Sequence, residues 1–334
     1  MPFWDVLTRK RAEEWLYYQF LPQQVPGAVE SEILEPNKSY ANVWLRSTRV
    51  VNVRSGLKKF YGAVHSYISV LPVGQPDKAE VNTVVTPKLL RNVDPRNLDR
   101  VVQVNHRLLG PIAHSGHDVE LEVGLFSVEE ADLVAPYLGM LEKISDVAGV
   151  GFLKTALPFA APIKDGINAL LNGQGDSILE IGLSRVFQPL TTGYHLVMRV
   201  PEQQVNPAEF RLERATGRVV GNDGKLIKDY AYIVFEVAST KEKHDWPKIS
   251  ELKRQYDLIK DAIVRGDAKE ANAGQQIFRR LARTSTDLIK ADADRLTQLV
   301  RDEIDQSLGA PTPQAALTER LVREFDQLPL YPQK

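Results

Sequence analysis

Apolar and polar residues alternate with a period of two in short stretches between Tyr40 and Val237, and with a helical period after Trp246. The clearest alternations are two near copies, Leu121-Glu122-Val123-Gly124-Leu125 and Leu179-Glu180-Ile181-Gly182-Leu183. Each would put aliphatic side chains on one face and polar or small ones on the other, the pattern of a half-buried strand. Strands are also predicted within residues 40–73, 81–86, 101–109, 194–200, 210–212 and 230–237, where β-branched and aromatic residues concentrate. Turn residues such as Asn222-Asp223-Gly224, not regularly spaced helices, separate them. That spacing favours an antiparallel sandwich over a doubly wound parallel sheet.

Helical periodicity appears in three places. Residues 5–20 read as a first helix with Val6, Trp15, Leu16 and Phe20 on one face, stopped by Pro22 and Pro26. Between the two near copies, Ser127 and Glu130 have the form of a capping box, and Leu133, Tyr137, Met140, Leu141 and Ile144 follow at helical spacing. A second apolar segment covers 152–171. After Pro247, an apolar stripe of Ile249, Leu252, Tyr256, Ile259 and Ile263 leads to a connection at Arg265-Gly266-Asp267 with Asp267 as cap. The pattern resumes at Ile277, as one helix or as two with a break near 284–286; Gly309-Ala310-Pro311 stops it, and a short helix is predicted at 315–325.

The expected fold is therefore α+β. Residues 1–39 form a helix and linker, residues 40–240 an antiparallel β-sandwich with a helical insertion at 127–172, and residues 246–327 a C-terminal helical region. Amphipathic tail helices need a surface to cover, supplied by each other, the β-core or another subunit.

Composition narrows the chemistry more than it names it. The 334 residues are 43% hydrophobic and 25% charged with a net charge of −1, so no overall charge draws the chain to nucleic acid or an anionic membrane. There is no cysteine, which excludes disulfides, thiol nucleophiles, Cys-ligated zinc and Fe–S clusters. That composition, and an N-terminus without a basic start and apolar run, fit a cytoplasmic protein. No charge-free apolar run reaches the roughly 18 residues of a spanning helix.

One stretch is one-sided in charge. No acidic residue lies between Glu35 and Asp77, while Arg46, Arg49, Arg54, Lys58 and Lys59 fall among Tyr40, Trp44, Phe60, Tyr61 and Tyr67. Basic side chains interleaved with aromatics suit an anionic ligand, and single-stranded nucleic acid is the extreme case. In a neutral chain a solvated sheet face is the plainer reading, with these five cations as candidate anion ligands.

Other motifs are weaker. His114, His117 and Asp118 cluster three metal-ligand types, although Ser115-Gly116 between them marks a polar turn. Gly175-Asp176-Ser177-Ile178 resembles the serine block of the Gly-Asp-Ser-Leu hydrolases, but it precedes a strand, and no Asp-x-x-His follows near the C-terminus. Gly221-Asn222-Asp223-Gly224-Lys225 has phosphate-loop vocabulary without its spacing. Glu236, Lys241 and Lys243 lack the Glu-x-Lys register of a magnesium nuclease. Lys154, Lys164 and Asp165 argue against membrane entry of 152–171.

With no convincing nucleophile, acid–base pair or metal set, the expected function is a non-catalytic binding or assembly protein that needs no cofactor. Its C-terminal helices would make protein contacts or self-associate, and its basic strand region would meet an anionic ligand. The alternatives are a metal-assisted hydrolase at His114 and His117, and a membrane-active effector using 152–171.

Overall fold

The computed structural model describes residues 15–51, 54–55, 58–73, 77–85, 102–129, 178–200 and 205–308. In chain order the strands are β1 (Trp15–Gln19), β2 (Tyr40–Arg49), β3 (Arg54–Ser55), β4 (Lys58–Val70), β5 (Ala79–Val85), β6 (Val102–Ala113), β7 (Val119–Glu129), β8 (Ile178–Phe187), β9 (Gly193–Arg199), β10 (Arg211–Glu213), β11 (Arg218–Val220) and β12 (Tyr232–Thr240). Helices α1 (Ser250–Val264), α2 (Ala268–Thr284) and α3 (Lys290–Leu308) follow.

Two antiparallel sheets face each other. The first has the order β1-β9-β12-β2-β6. The second is built on β4, which pairs along its length with β7, and β7 pairs with β8. The other edge of β4 is shared by β3 at one end and β5 at the other. Val43, Leu45 and Phe235 of the first sheet pack with Val64, Ile68 and Leu125 of the second in one core. Each such side chain, fully buried, contributes about 1.5–3 kcal/mol relative to exposure.

The two near copies are neighbours. Val123 lies opposite Leu183, Gly124 opposite Gly182 and Leu125 opposite Ile181. A slip of one residue would turn the aliphatic set outward, so the shared alternation excludes odd-numbered slips. Ser127 to Glu129 still belong to β7, opposite Gly62, Tyr61 and Phe60, so Ser127 is a strand residue and not a helix cap. The rest of the predicted insertion, with the serine block at 175–178 up to Ser177, lies outside the described residues.

Residues 15–20 correct the reading of a first helix. Trp15–Gln19 pairs with β9, and its aromatic run sorts by alternation. Leu16 and Phe20 are buried on one face, and Tyr17 packs toward the inter-sheet core on the other. Long-range pairing overrides a helical spacing that only four apolar positions supported. Residues 5–14 lie outside the described residues.

The first sheet buries both faces in part. On its outer side the β10–β11 hairpin lays Leu212 and Val219 against Leu196, Met198, Tyr232 and Val234. The hairpin turn closes on Gly217, at φ 66°, where a Cβ would meet the Ser47 side chain at 2.6 Å. Ser47 Oγ donates to the Gly217 carbonyl there, so only glycine fits the approach.

The helices follow the predicted stops. Gly266 adopts φ 73° after α1, and Asp267 caps α2 by accepting from the Glu270 amide at 2.9 Å. Ser285 is extended and separates α2 from α3, which decides for the two-helix alternative. The apolar stripes are spent on one another and on the sandwich. Trp246, Tyr256 and Phe278 meet edge to face, and the same cluster includes Tyr40 and Ala113. The joint is polar and buried. Asp292, 1% exposed, accepts from Tyr40 Oη and the Lys243 amide at 2.8 Å each and from Arg295 Nε. Lys243 donates Nζ to the Pro111 carbonyl, and burial pulls its pKa below the usual lysine range, against the charge of Asp245. No helix among the described residues is long and apolar enough to cross a membrane.

Candidate ligand-binding groove

Between the hairpin and the helical end, the outer face of the first sheet turns polar. Trp44 and Arg46 come from β2, Asn105 and Arg107 from β6, Tyr194 from β9 and Glu236 from β12. They adjoin because Glu236 sits opposite Trp44 on one side and Tyr194 on the other. The β2–β12 register shifts so that Leu45 and Ser47 oppose consecutive residues, leaving Arg46 in a bulge. Bulges re-aim side chains and recur beside functional sites. Across from it, Asn105 holds φ 48°, a conformation that non-glycine residues adopt rarely, and its side chain accepts from Arg46 Nη1 at 3.2 Å.

Charge and aromatic surface alternate across this face. Arg46 pairs with Glu236, and its guanidinium lies 4.9 Å from the Trp44 ring. Arg107 approaches the same ring at 5.7 Å and pairs with Asp245 at 3.5 Å. Arg214, in the hairpin turn, donates Nε to Tyr194 Oη at 3.1 Å and Nη1 to the Gly27 carbonyl. Its Nη2 has no hydrogen-bond partner among the described residues. Burial, then the Glu236 charge, raises the Tyr194 pKa, so the phenol keeps its proton and can both donate and accept.

Three adjoining cavities make a groove here. The first, about 340 Å³, is lined by Arg46, Gln103, Asn105, Tyr194, Arg214 and the turn to Gly217. The second, about 250 Å³, shares Tyr194 and Arg214 with it and adds Phe20, Val25, Ala28 and Val237, with Glu30 and Glu32. The third, about 70 Å³, shares Glu32, Thr192 and Ser239 with the second and reaches Lys38 and Lys241.

Of the five cations predicted to bind an anion, Arg46 and Arg49 have described side chains, and of these two Arg46 lines this groove. Arg49 is buried and donates Nε and Nη2 to the Lys228 carbonyl, tying down the loop before β12. The backbone of Arg54, Lys58 and Lys59 belongs to the β3–β4 hairpin of the second sheet, and their side chains lie outside the description. The chain crosses from the first sheet to the second after Arg49.

The metal alternative gains no geometry. His114 is buried, and burial followed by the His117 charge lowers its pKa. With His117 and Asp118 it borders a crevice of about 10 Å³, room for one water at most. Among the described residues no group of three or more metal-ligand side chains is placed to hold an ion. The 221–225 run is a turn, with Asp223 paired to Lys225. Glu236 faces Arg46 and not Lys241 or Lys243, which also leaves no nuclease-like site there. The membrane-active segment 152–171 lies outside the described residues.

Arg214, Gln103, Asn105 and Tyr194 carried no signal in the linear sequence. They come from three separate segments, β6, β9 and the β10–β11 turn, and only the hairpin's fold over the sheet gathers them. No protein-family model, curated protein or solved structure matches the chain. The fold and groove alone define its class, an α+β β-sandwich protein with a polar cleft on the exposed face of one sheet.

Proposed function

We propose that the protein is a non-catalytic binding protein that takes an anionic ligand in the groove on the first sheet. The observation that carries this reading is the chemistry of the largest chamber. Its described lining holds two guanidiniums, two carboxamides and a tyrosine hydroxyl, while Glu236, the carboxylate paired with Arg46, lines the adjoining chamber. Guanidinium forks and amide donors suit a carboxylate or phosphate. Arg46 is held by Glu236 and Asn105, and Arg214 by Tyr194 and Gly27, so both are oriented before a ligand arrives. In the helical region Leu258, Val264 and Ile277 stay exposed outside the helical core, and protein contacts proposed there would fall on them.

Thermal unfolding in the presence of phosphate, citrate or N-acetylglutamate tests the reading. A ligand at about a hundred times its Kd stabilises the folded state by about 2.7 kcal/mol. The rise in Tm is expected for at least one of these anions and should vanish in an Arg46→Gln/Arg214→Gln variant. No rise with any anion, or an equal rise in that variant, overturns the proposal.

A further inference from the structure

The groove has a second property that the anion chamber does not explain. β12 pairs with β2 through Thr240, but its pairing with β9 ends at Val237. On the β9 side, Ala238 to Thr240 make no backbone hydrogen bond to any described residue. This open stretch of sheet edge runs along the second and third chambers, which Ala238 and Ser239 line. From Ala238 to Thr240 it spans roughly 7 Å at the rise of a strand. Exposed edge groups of this kind are the template for an added strand.

We infer that the ligand is an extended peptide segment of a partner protein, which adds to the sheet alongside Ala238–Thr240. The inference rests on the proposed binding role and names its ligand class. One end of the segment places an acidic side chain or a C-terminal carboxylate in the Arg46–Arg214 chamber. An apolar side chain then enters the middle chamber, whose floor is Phe20, Val25, Ala28 and Val237. A lysine or arginine beside it faces Glu30 and Glu32 at the rim. Val29, 82% exposed, and Leu21, 48% exposed, extend the apolar contact at the same rim. A compact anion would fill the first chamber alone. An extended chain uses all three and satisfies the open edge, because its main chain supplies the missing donors and acceptors while alternate side chains enter the pockets.

The test is selection of peptides of about twelve residues from a displayed random library on the full chain, followed by fluorescence anisotropy of a labelled winner. Enriched peptides should carry an acidic group, an apolar anchor and a basic residue in a fixed order. Arg214→Glu should weaken binding by about tenfold or more, and Ala28→Trp, which fills the middle chamber, by a similar factor. Far-UV circular dichroism of both variants should match the wild type. N-methylation of the peptide backbone, which leaves the protein untouched, should weaken binding at alternate residues and be tolerated between them. Binding indifferent to N-methylation at every position, or to both substitutions, overturns the strand-addition inference. If small anions still stabilise the protein in that case, the binding role stands and only the ligand class fails. If neither peptide nor anion binds, both readings fall.

Discussion

Acidification from about pH 7 to about pH 5 is expected to weaken the fold through His195. This side chain is 0% exposed and stacks on Phe235 with ring centroids 4.8 Å apart. Its Nδ1 shares a hydrogen bond of 2.7 Å with Tyr17 Oη, and its Nε2 has no partner. A proton added to that ring would be charged in an apolar seam, near the Arg185 guanidinium, which lies 3.9 Å from the Tyr17 ring. Burial, and secondarily the Arg185 charge, push the His195 pKa from 6.5 to about 3. The folded state is thus the weaker base, and unfolding takes up a proton at any pH between those two values. Stability from this residue is complete above 6.5 and is lost as pH falls toward 3. The slope is about 1.4 kcal/mol per pH unit, so by about pH 5 the loss is roughly 2 kcal/mol. Urea unfolding at several pH values measures it, compared with a Tyr17→Phe/His195→Phe variant that keeps the ring stack and removes both polar groups. His114 is also held below its ordinary pKa, but it is present in both proteins and cancels. The wild type should lose roughly 2 kcal/mol more than the variant over this range. Equal losses in the two proteins would show that His195 is protonated in the fold or solvated in a way its burial denies.

Other expectations follow from the same contacts. Asp292→Ala strips the partner from Tyr40, the Lys243 amide and Arg295 at once and should cost about 3–5 kcal/mol in urea unfolding; a loss below about 1 kcal/mol would mean that the joint between sandwich and helices is solvated. Gly274→Ala places a Cβ 2.8 Å from Ile259 Cγ1 and should cost about 1–3 kcal/mol, and in an Ile259→Ala background, which removes that atom, the same change should cost less; additive effects of the two changes would refute the close helix approach.

Much of the architecture was local information. A period of two is visible in any strand with one buried face, and the alternation of 121–125 and 179–183 carried which face of each is buried, while their pairing with each other was decided by the fold. Helix ends were legible at Gly266 and Asp267 because caps and breakers act within a turn of the chain, whereas the break at Ser285 stood as one of two alternatives until the structure decided it. The strand at Trp15–Gln19 was not, since its partner β9 lies far along the sequence and local spacing alone favoured a helix. The groove was less legible still. Arg46 was visible as one cation among five, but its companion Arg214 reaches it only because the β10–β11 hairpin folds over the first sheet, and Asn105 only because β6 pairs with β2. Periodicity, caps and turns follow from neighbouring residues and are written in the sequence. Strand order, burial of a charge and the shape of a cleft depend on residues distant along the chain, so tertiary packing alone decided them.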